Sequence, residues 1–324
     1  MKHIVIIGCG SIGIRHLESL LKIRKKVKIS VIDKSNSSLF KAKLLIKKFD
    51  KNINNVEFFN KIKKFEKTID LAIISTNSDI RKKIFDKLLK YNSIKNIILE
   101  KIVFQKIKDF NEVEKNLKNR NIKCFVNFPR REMFDYIKLK KLLLKEKRIN
   151  ITVNGSNWGL ASNSIHMLDL LSFLRNSKRI YLLSNNLHNK IYKSYRKNFR
   201  EFKGSLLFEN EYKDTVYLND SPSELKKNRG GIMIESDNIS LKIFEFKKLI
   251  SILNTKKSLT SSIEKFNTIY QSSLTSIYVN KIFGKKKLNL PTLKESKKEH
   301  IVILNLFNRH IKKLKKKFKY CQIT

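Results

Sequence analysis

Six short apolar runs punctuate the first 128 residues: HIVII at 3–7, VKISVID at 27–33, VEFF at 56–59, DLAIIST at 70–76, NIILE at 96–100 and IKCFVNF at 122–128. Most of the gaps hold stretches of helical periodicity, SIGIRHLESLLKI, SSLFKAKLLIKKF, DIRKKIFDKLLKY and a segment near 109–119. Strands alternating with helices of about 10–15 residues build βαβ units on a parallel sheet. Their apolar character is continuous, which suits strands covered on both faces. Beyond Phe128-Pro129 the rhythm changes. A helix near 132–146, a strand near 148–154 and a helix near 163–175 come first. Strand-like segments at 179–187, 199–209, 213–219, 231–236 and 239–245 follow without helices between them, and helices near 260–282 and 293–317 close the chain. Consecutive strands imply an antiparallel or mixed sheet. The expected fold class is α/β: a parallel-sheet domain over 1–126, then an α+β domain with a mostly antiparallel sheet over 127–324, whose closing helices can pack back on the first.

GCGSIG at 8–13 is a Gly-x-Gly-x-x-Gly turn set between the first strand and the first helix. In a Rossmann domain Gly8 permits the tight turn, Gly10 lets backbone approach a pyrophosphate, and Gly13 allows close helix–strand packing. Ser11 and Ile12 open the helix, whose free N–H groups and dipole favour phosphate. Asp33 ends the second strand 20 residues after Gly13, the interval of a ribose-binding acid. Its carboxylate would repel a 2′-phosphate, so NAD is favoured over NADP, with Lys34 next door softening the preference. The alternative is that Asp33 only starts a turn. Ser75, Thr76 and Asn77 end the fourth strand and Glu100-Lys101 the fifth, where ligands of open α/β sheets gather. Lys101 there can stabilise an oxyanion as hydride leaves its carbon; from position alone, in a chain full of lysines, the reading as a solvated lysine prevails.

GSNWGLASNSIHMLDLLSFL at 155–174 is a helix apolar nearly all round, yet it carries Ser162, His166 and Asp169 on one narrow stripe. Such a stripe must be paired or face a cavity. Either His166 moves protons near neutral pH, or it is a core histidine satisfied by Asp169 or a carbonyl.

The formal net charge of +43 raises the question of a polyanion partner. The lysines are spread over every expected helix, and Lys, Ile and Asn are used heavily throughout, so the charge reads as a compositional habit and nucleic acid is not expected. The densest cluster, RHIKKLKKKFKY, keeps Ile311, Leu314 and Phe318 on an ordinary core-facing edge. Cys9, Cys124 and Cys321 lack paired spacing, so reduced thiols and no metal site are expected. No apolar run reaches bilayer length. The N-terminal apolar stretch, broken by three glycines, reads as a strand and not a leader, and the protein as cytoplasmic.

These residues together resemble the Gfo/Idh/MocA family of oxidoreductases over nearly the whole chain: IVIIGCGSIGIRHLESL with its Arg15-His16 pair, ISTNSDIRKKIFDKLL, IILEKIV, FVNFPRR, GSNWGLASNSIHMLDLL and LPTLKESKKEHIVILNLF. The resemblance implies an NAD(P)-dependent enzyme oxidising or reducing a sugar, cyclitol or nucleotide sugar, in a branch associated with surface polysaccharide. It implies Lys101 as the motif lysine, His166 as general acid/base and Asp169 as the carboxylate assisting it. Ser75, Thr76, Asn77 and Glu100 fall on the cofactor side; Asn127, Arg130, Arg131, Trp158 and Asn163 fall near substrate, with specificity carried near 155–164 and 225–235. Substrate is expected between the domains, and a homo-oligomer is expected to cover the open face of the second sheet.

Three departures stand out. Ile102 replaces a proline whose peptide is usually cis, a state costing ~3 kcal/mol without proline, so a reshaped loop is expected. Ser162 stands where many members have aspartate. Asn77 and Arg81 replace a proline and a histidine. Ile102 and Ser162 leave one rival reading, a catalytically weak NAD-binding sensor or partner protein; the net charge of +43 leaves another, a polyanion binder.

Overall fold

A computed structural model describes residues 1–49, 55–223, 228–254, 260–315 and 320–324. Phe318 and positions 225–227, singled out above, lie outside the described residues. The chain divides into two compact units, Met1–Pro129 with Ile269–Lys294, and Arg130–Thr268 with Glu295–Thr324.

In the first unit β1 (Lys2–Ile7), α1 (Ser11–Leu21), β2 (Val27–Ile32), α2 (Asn36–Ile46), β3 (Asn55–Phe59), β4 (Leu71–Ile74), α3 (Ser78–Tyr91), β5 (Asn96–Leu99), α4 (Ile107–Asn119) and β6 (Lys123–Val126) alternate. Their sheet is parallel in the order β3-β2-β1-β4-β5-β6. Ile4 to Ile7, Leu71 to Ile74 and Ile97 to Leu99 are buried throughout, the continuous apolar signature of strands covered on both faces. The order reverses between β1 and β4, so the switch-point crevice opens beyond the ends of these two strands.

The second unit holds α5 (Phe134–Leu143), β7 (Asn150–Ser156), α6 (Leu160–Arg175), β8 (Ile180–Leu187), β9 (Tyr192–Lys193), β10 (Arg200–Glu201), β11 (Gly204–Asn210), β12 (Thr215–Ser221), β13 (Asn228–Glu235), β14 (Ile239–Phe244), β15 (Leu249–Asn254) and β16 (Thr260–Lys265). Eight of these strands form one sheet, β16-β15-β14-β13-β7-β12-β11-β8, antiparallel except for β7 beside β12. Burial alternates along β11 and β12, so this sheet covers only one face. Leu206, Phe208, Val216 and Leu218 point inward from these two strands, and α6 packs against β12.

The last two helices are α7 (Gln271–Phe283) and α8 (Leu293–Lys313). α7 packs against α1 inside the first unit.

Three local expectations need correction. The helix expected near 260–282 is β16 followed by α7, because TSSIEK is an exposed strand with no buried side to set a period. The strand expected over 199–209 is broken into β10 and β11 by Gly204, held at φ +115°. The loop expected to reshape at Ile102 keeps a cis peptide between Lys101 and Ile102. Among the described residues no helix is long and apolar enough to cross a membrane.

Candidate active site

The glycine turn at the end of β1 is built as the spacing requires. Gly8 sits at φ +92° and donates its N–H to the Ile32 carbonyl at 2.9 Å. A Cβ on Gly13 would stand 1.9 Å from the Gly8 carbonyl oxygen, so helix and turn touch there. A Cβ on Gly10 would meet nothing within 4 Å. Gly10 therefore faces open space at the start of α1, a helix with no side-chain cap and no acid in its first turn. Ser11 is exposed and Ile12 half-buried at that start. Asp33 accepts from the Cys9 N–H at 2.6 Å and the Ser35 N–H at 2.8 Å, so it clamps the turn and starts the next loop at once. Ser75 Oγ donates to the Gly8 carbonyl at 2.6 Å. Burial, then the Asp33 charge, pushes the Cys9 thiol up to about 12, which removes it as a nucleophile at neutral pH.

A cavity of about 350 Å³ opens here, lined by Gly8, Gly10, Asp33, Lys34, Ser75, Thr76 and Asn77, with Ile62, Ile80 and Ile84 on its apolar side. Thr76 Oγ1 is buried with no hydrogen-bond partner. An open glycine, an uncapped helix start, an orphaned hydroxyl and a carboxylate with lone pairs to spare fit a dinucleotide: pyrophosphate at Gly10 and α1, ribose at Asp33, base against the isoleucines.

Glu100, expected on the cofactor side, behaves differently from its neighbours. It lies buried, accepting from His16 Nε2 at 2.9 Å and from Asn127 Nδ2, so it offers the cofactor little. Burial opposes its ionisation, but the His16 hydrogen bond and charge, the Asn127 amide and the Arg81 charge hold the carboxyl below its ordinary range. Asn127, expected near substrate, is tied to it. Its amide donates to Glu100 and to Gln271 Oε1 at 2.9 Å and accepts from the Tyr278 hydroxyl at 3.1 Å, leaving no amide hydrogen for a substrate. His16 Nδ1 meets Thr275 Oγ1 at 2.8 Å. This network draws α1, β5, β6 and α7 together. Lys101, half-buried, follows Glu100 in the chain.

In the second unit His166 is half-buried on α6, alongside the similarly half-buried Ser162 and Asn163. From Ser164 to Arg175 every other residue of that helix is buried. Asp169 is closed in: Arg131 Nε and Nη2 reach its Oδ1, each at 2.9 Å, and Nε also reaches Oδ2 at 3.1 Å. Burial raises the Asp169 carboxyl while Arg131 pulls it back, leaving it above its ordinary range. Arg130 pairs with Glu245 through Nε at 2.8 Å and Nη2 at 2.7 Å, and the Tyr136 hydroxyl donates to the same carboxylate at 2.8 Å. Both arginines, expected near substrate, are therefore committed to carboxylates of their own unit.

Trp158 is likewise a core residue, 1% exposed, its indole donating to the Asn219 carbonyl at 2.8 Å. Asn163 Nδ2 donates to the Trp158 carbonyl at 2.7 Å and so ties down the entry to α6. Two acids missed in the sequence fill the start of that helix. Asp220 accepts from the N–H groups of Trp158, Gly159 and Leu160 at 3.2, 2.9 and 3.1 Å. Glu201 accepts from the Ala161 N–H at 2.9 Å and the Ser162 hydroxyl at 2.5 Å. A third missed acid, Glu299 on α8, takes a hydrogen bond from Ser172 Oγ at 2.6 Å, while its Oε2 is buried without a partner. Burial pushes its carboxyl up to about 7; Lys298 pulls down and Asp169 pushes up. The signal for these acids lay only in their rarity, 28 acidic residues against 71 basic.

No curated protein sequence matches this chain. Among solved structures, the super-repressor mutant of Gal80p from Saccharomyces cerevisiae is 14% identical, with a TM-score of 0.72 over 96% of this chain and 97% of its own. The dehydrogenase MviM from Clostridium difficile is 15% identical, with a TM-score of 0.69 over 95% and 99%. UDP-N-acetylglucosamine 3-dehydrogenase GnnA from Acidithiobacillus ferrooxidans is 9% identical, with a TM-score of 0.64 over 93% and 95%. At such identities the likeness concerns the fold. Residues 2–128 match the family described as oxidoreductases with an NAD-binding Rossmann fold. That match, to the Gfo/Idh/MocA oxidoreductase family, spans β1 through β6 and the glycine turn.

Proposed function

We propose that the protein is an NAD-dependent oxidoreductase moving hydride to or from a CH–OH carbon of a sugar, cyclitol or nucleotide sugar, in the cytoplasm and in surface-polysaccharide synthesis. The observation that carries this reading is the open Gly10 at the uncapped start of α1, beside the buried Thr76 hydroxyl. Bound NAD would supply the hydride acceptor or donor. The turn and α1 would hold its pyrophosphate, and Asp33 its ribose hydroxyls, at the expense of a 2′-phosphate. Lys101 polarises the substrate oxygen, and His166, the one half-buried side chain between Ser164 and Arg175 of α6, exchanges the hydroxyl proton. Arg131 pins Asp169 on the same helix, so its carboxylate acts by field and position.

Calorimetric titration with NAD and then NADP, followed by a panel of sugars and nucleotide sugars, tests the reading. Binding of NAD lost in Asp33→Ala, with turnover lost in His166→Asn, supports it; full turnover by His166→Asn refutes the proton role. A second reading, an NAD-binding sensor without turnover, is favoured by the ion-paired Asp169 and by the fold shared with Gal80p. NAD binding without hydride transfer to any of the panel selects it.

A further inference from the structure

Arg81 on α3 is 1% exposed, and its guanidinium is turned to main-chain oxygens of two loops. Nη1 donates to the carbonyl of Ile102 and, at 2.9 Å, to that of Val103; Nη2 donates to the carbonyl of Thr76. Thr76 belongs to the loop after β4 that lines the cavity, and Ile102 and Val103 directly follow Lys101. The same two loops are joined again by Gln105 Nε2, which donates to Ser78 Oγ at 3.1 Å. A guanidinium is a planar fork with several fixed donors, so it can hold two loops in one geometry; a lysine ammonium is a point charge and cannot span them in the same way. In a trans peptide the N–H points opposite to the carbonyl. Turning the Thr76 oxygen toward Arg81 therefore also orients the Asn77 N–H, at the start of α3.

We propose that Arg81 is a positioning residue that locks the Lys101 segment to the Thr76–Asn77 segment, so that the oxygen-polarising lysine and the cofactor-lining loop keep one relative geometry. This inference rests on the NAD-dependent reading above. Arg81 itself touches neither ligand; it acts through the two main-chain segments it grips.

The test labels lysines with a small acylating reagent and reads each site by mass spectrometry, alongside NAD titration, in wild type, Arg81→Lys and Gln105→Met. Released from its clamp, Lys101 is expected to label about tenfold faster in Arg81→Lys, relative to the exposed Lys190 as an internal reference. NAD affinity is expected to fall by about the same factor, with a smaller loss in both readouts for Gln105→Met. A purely structural role would lower the melting temperature while leaving the Lys101-to-Lys190 ratio unchanged in folded protein. An unchanged ratio with NAD affinity within about twofold overturns the proposal. Should Arg81→Lys not fold, Gln105→Met decides by the same ratio. Because labelling needs no ligand, wild type that fails to bind NAD would refute the cofactor reading and still leave the loop lock decided by the ratio.

Discussion

Replacing Glu299 by glutamine is expected to flatten the pH dependence of the second unit's stability. The wild-type carboxyl has one oxygen on Ser172 and the other buried without a partner. It faces Lys298, whose Nζ stands 3.5 Å away, and the charge of Asp169, which is itself held by Arg131. Its folded value is about 7 against an ordinary 4.5. The folded state thus holds this proton more tightly than the unfolded state does. The associated stability is complete below pH 4.5, is lost as pH rises, and is gone above about 7. Two and a half pH units at about 1.4 kcal/mol each give about 3.5 kcal/mol. Glutamine carries no proton to lose, so Glu299→Gln should match wild type near pH 4.5 and exceed it by about 3.5 kcal/mol at pH 8. Urea unfolding followed by the fluorescence of Trp158, the single tryptophan and buried in this unit, reads the difference directly. With a typical urea dependence of about 1–3 kcal/mol per molar, the midpoints should separate by about 1 M or more at pH 8. Parallel pH profiles for the two proteins would refute the reasoning, since they would mean that Glu299 ionises as readily folded as unfolded.

Three further outcomes follow from other parts of the chain. Gly10→Ala should fold like wild type and bind NAD weakly, whereas Gly13→Ala, whose methyl would meet the Gly8 carbonyl at 1.9 Å, should lose about 1–3 kcal/mol of stability; thermal melts with and without NAD separate the two. Glu245→Gln leaves the buried Arg130 uncompensated and should cost about 3–5 kcal/mol by the same tryptophan-monitored unfolding, with Arg130→Met added to it recovering much of the loss. Glu100, held below its ordinary range, stabilises the first unit above pH 4.5 and loses that contribution as pH falls through its folded value, so Glu100→Gln should remove part of the acid unfolding limb seen by circular dichroism.

The first unit was legible because its strands are buried on both faces and its helices on one, which writes two distinct periods into the sequence. The glycine turn was legible because each glycine answers a separate steric demand, and Gly13 and Gly10 prove opposite in kind: one packed, one open. What escaped was pairing over distance. Arg130 and Arg131 look like substrate ligands until Glu245 and Asp169, 115 and 38 residues away, arrive beside them. Glu100 looks like a cofactor contact until His16 reaches it from 84 residues upstream. Strand β16, exposed along its whole length, had no burial pattern to declare it. Local periodicity reports which side of an element is covered, and long-range polar partners leave no mark in it.

The return of residues 269–294 to the first unit has a consequence for synthesis on the ribosome. Translation delivers β1 through β6 early, yet Gln271, Thr275 and Tyr278, which complete the hydrogen bonds of His16 and Asn127, are made only after β16. At about 5–20 residues per second, the nascent sheet waits many seconds with a buried acid and histidine still lacking their last partners. A ribosome-stalled chain ending at residue 129 should therefore be protease-sensitive, and arrest beyond residue 294 should be the first to release a protected first unit.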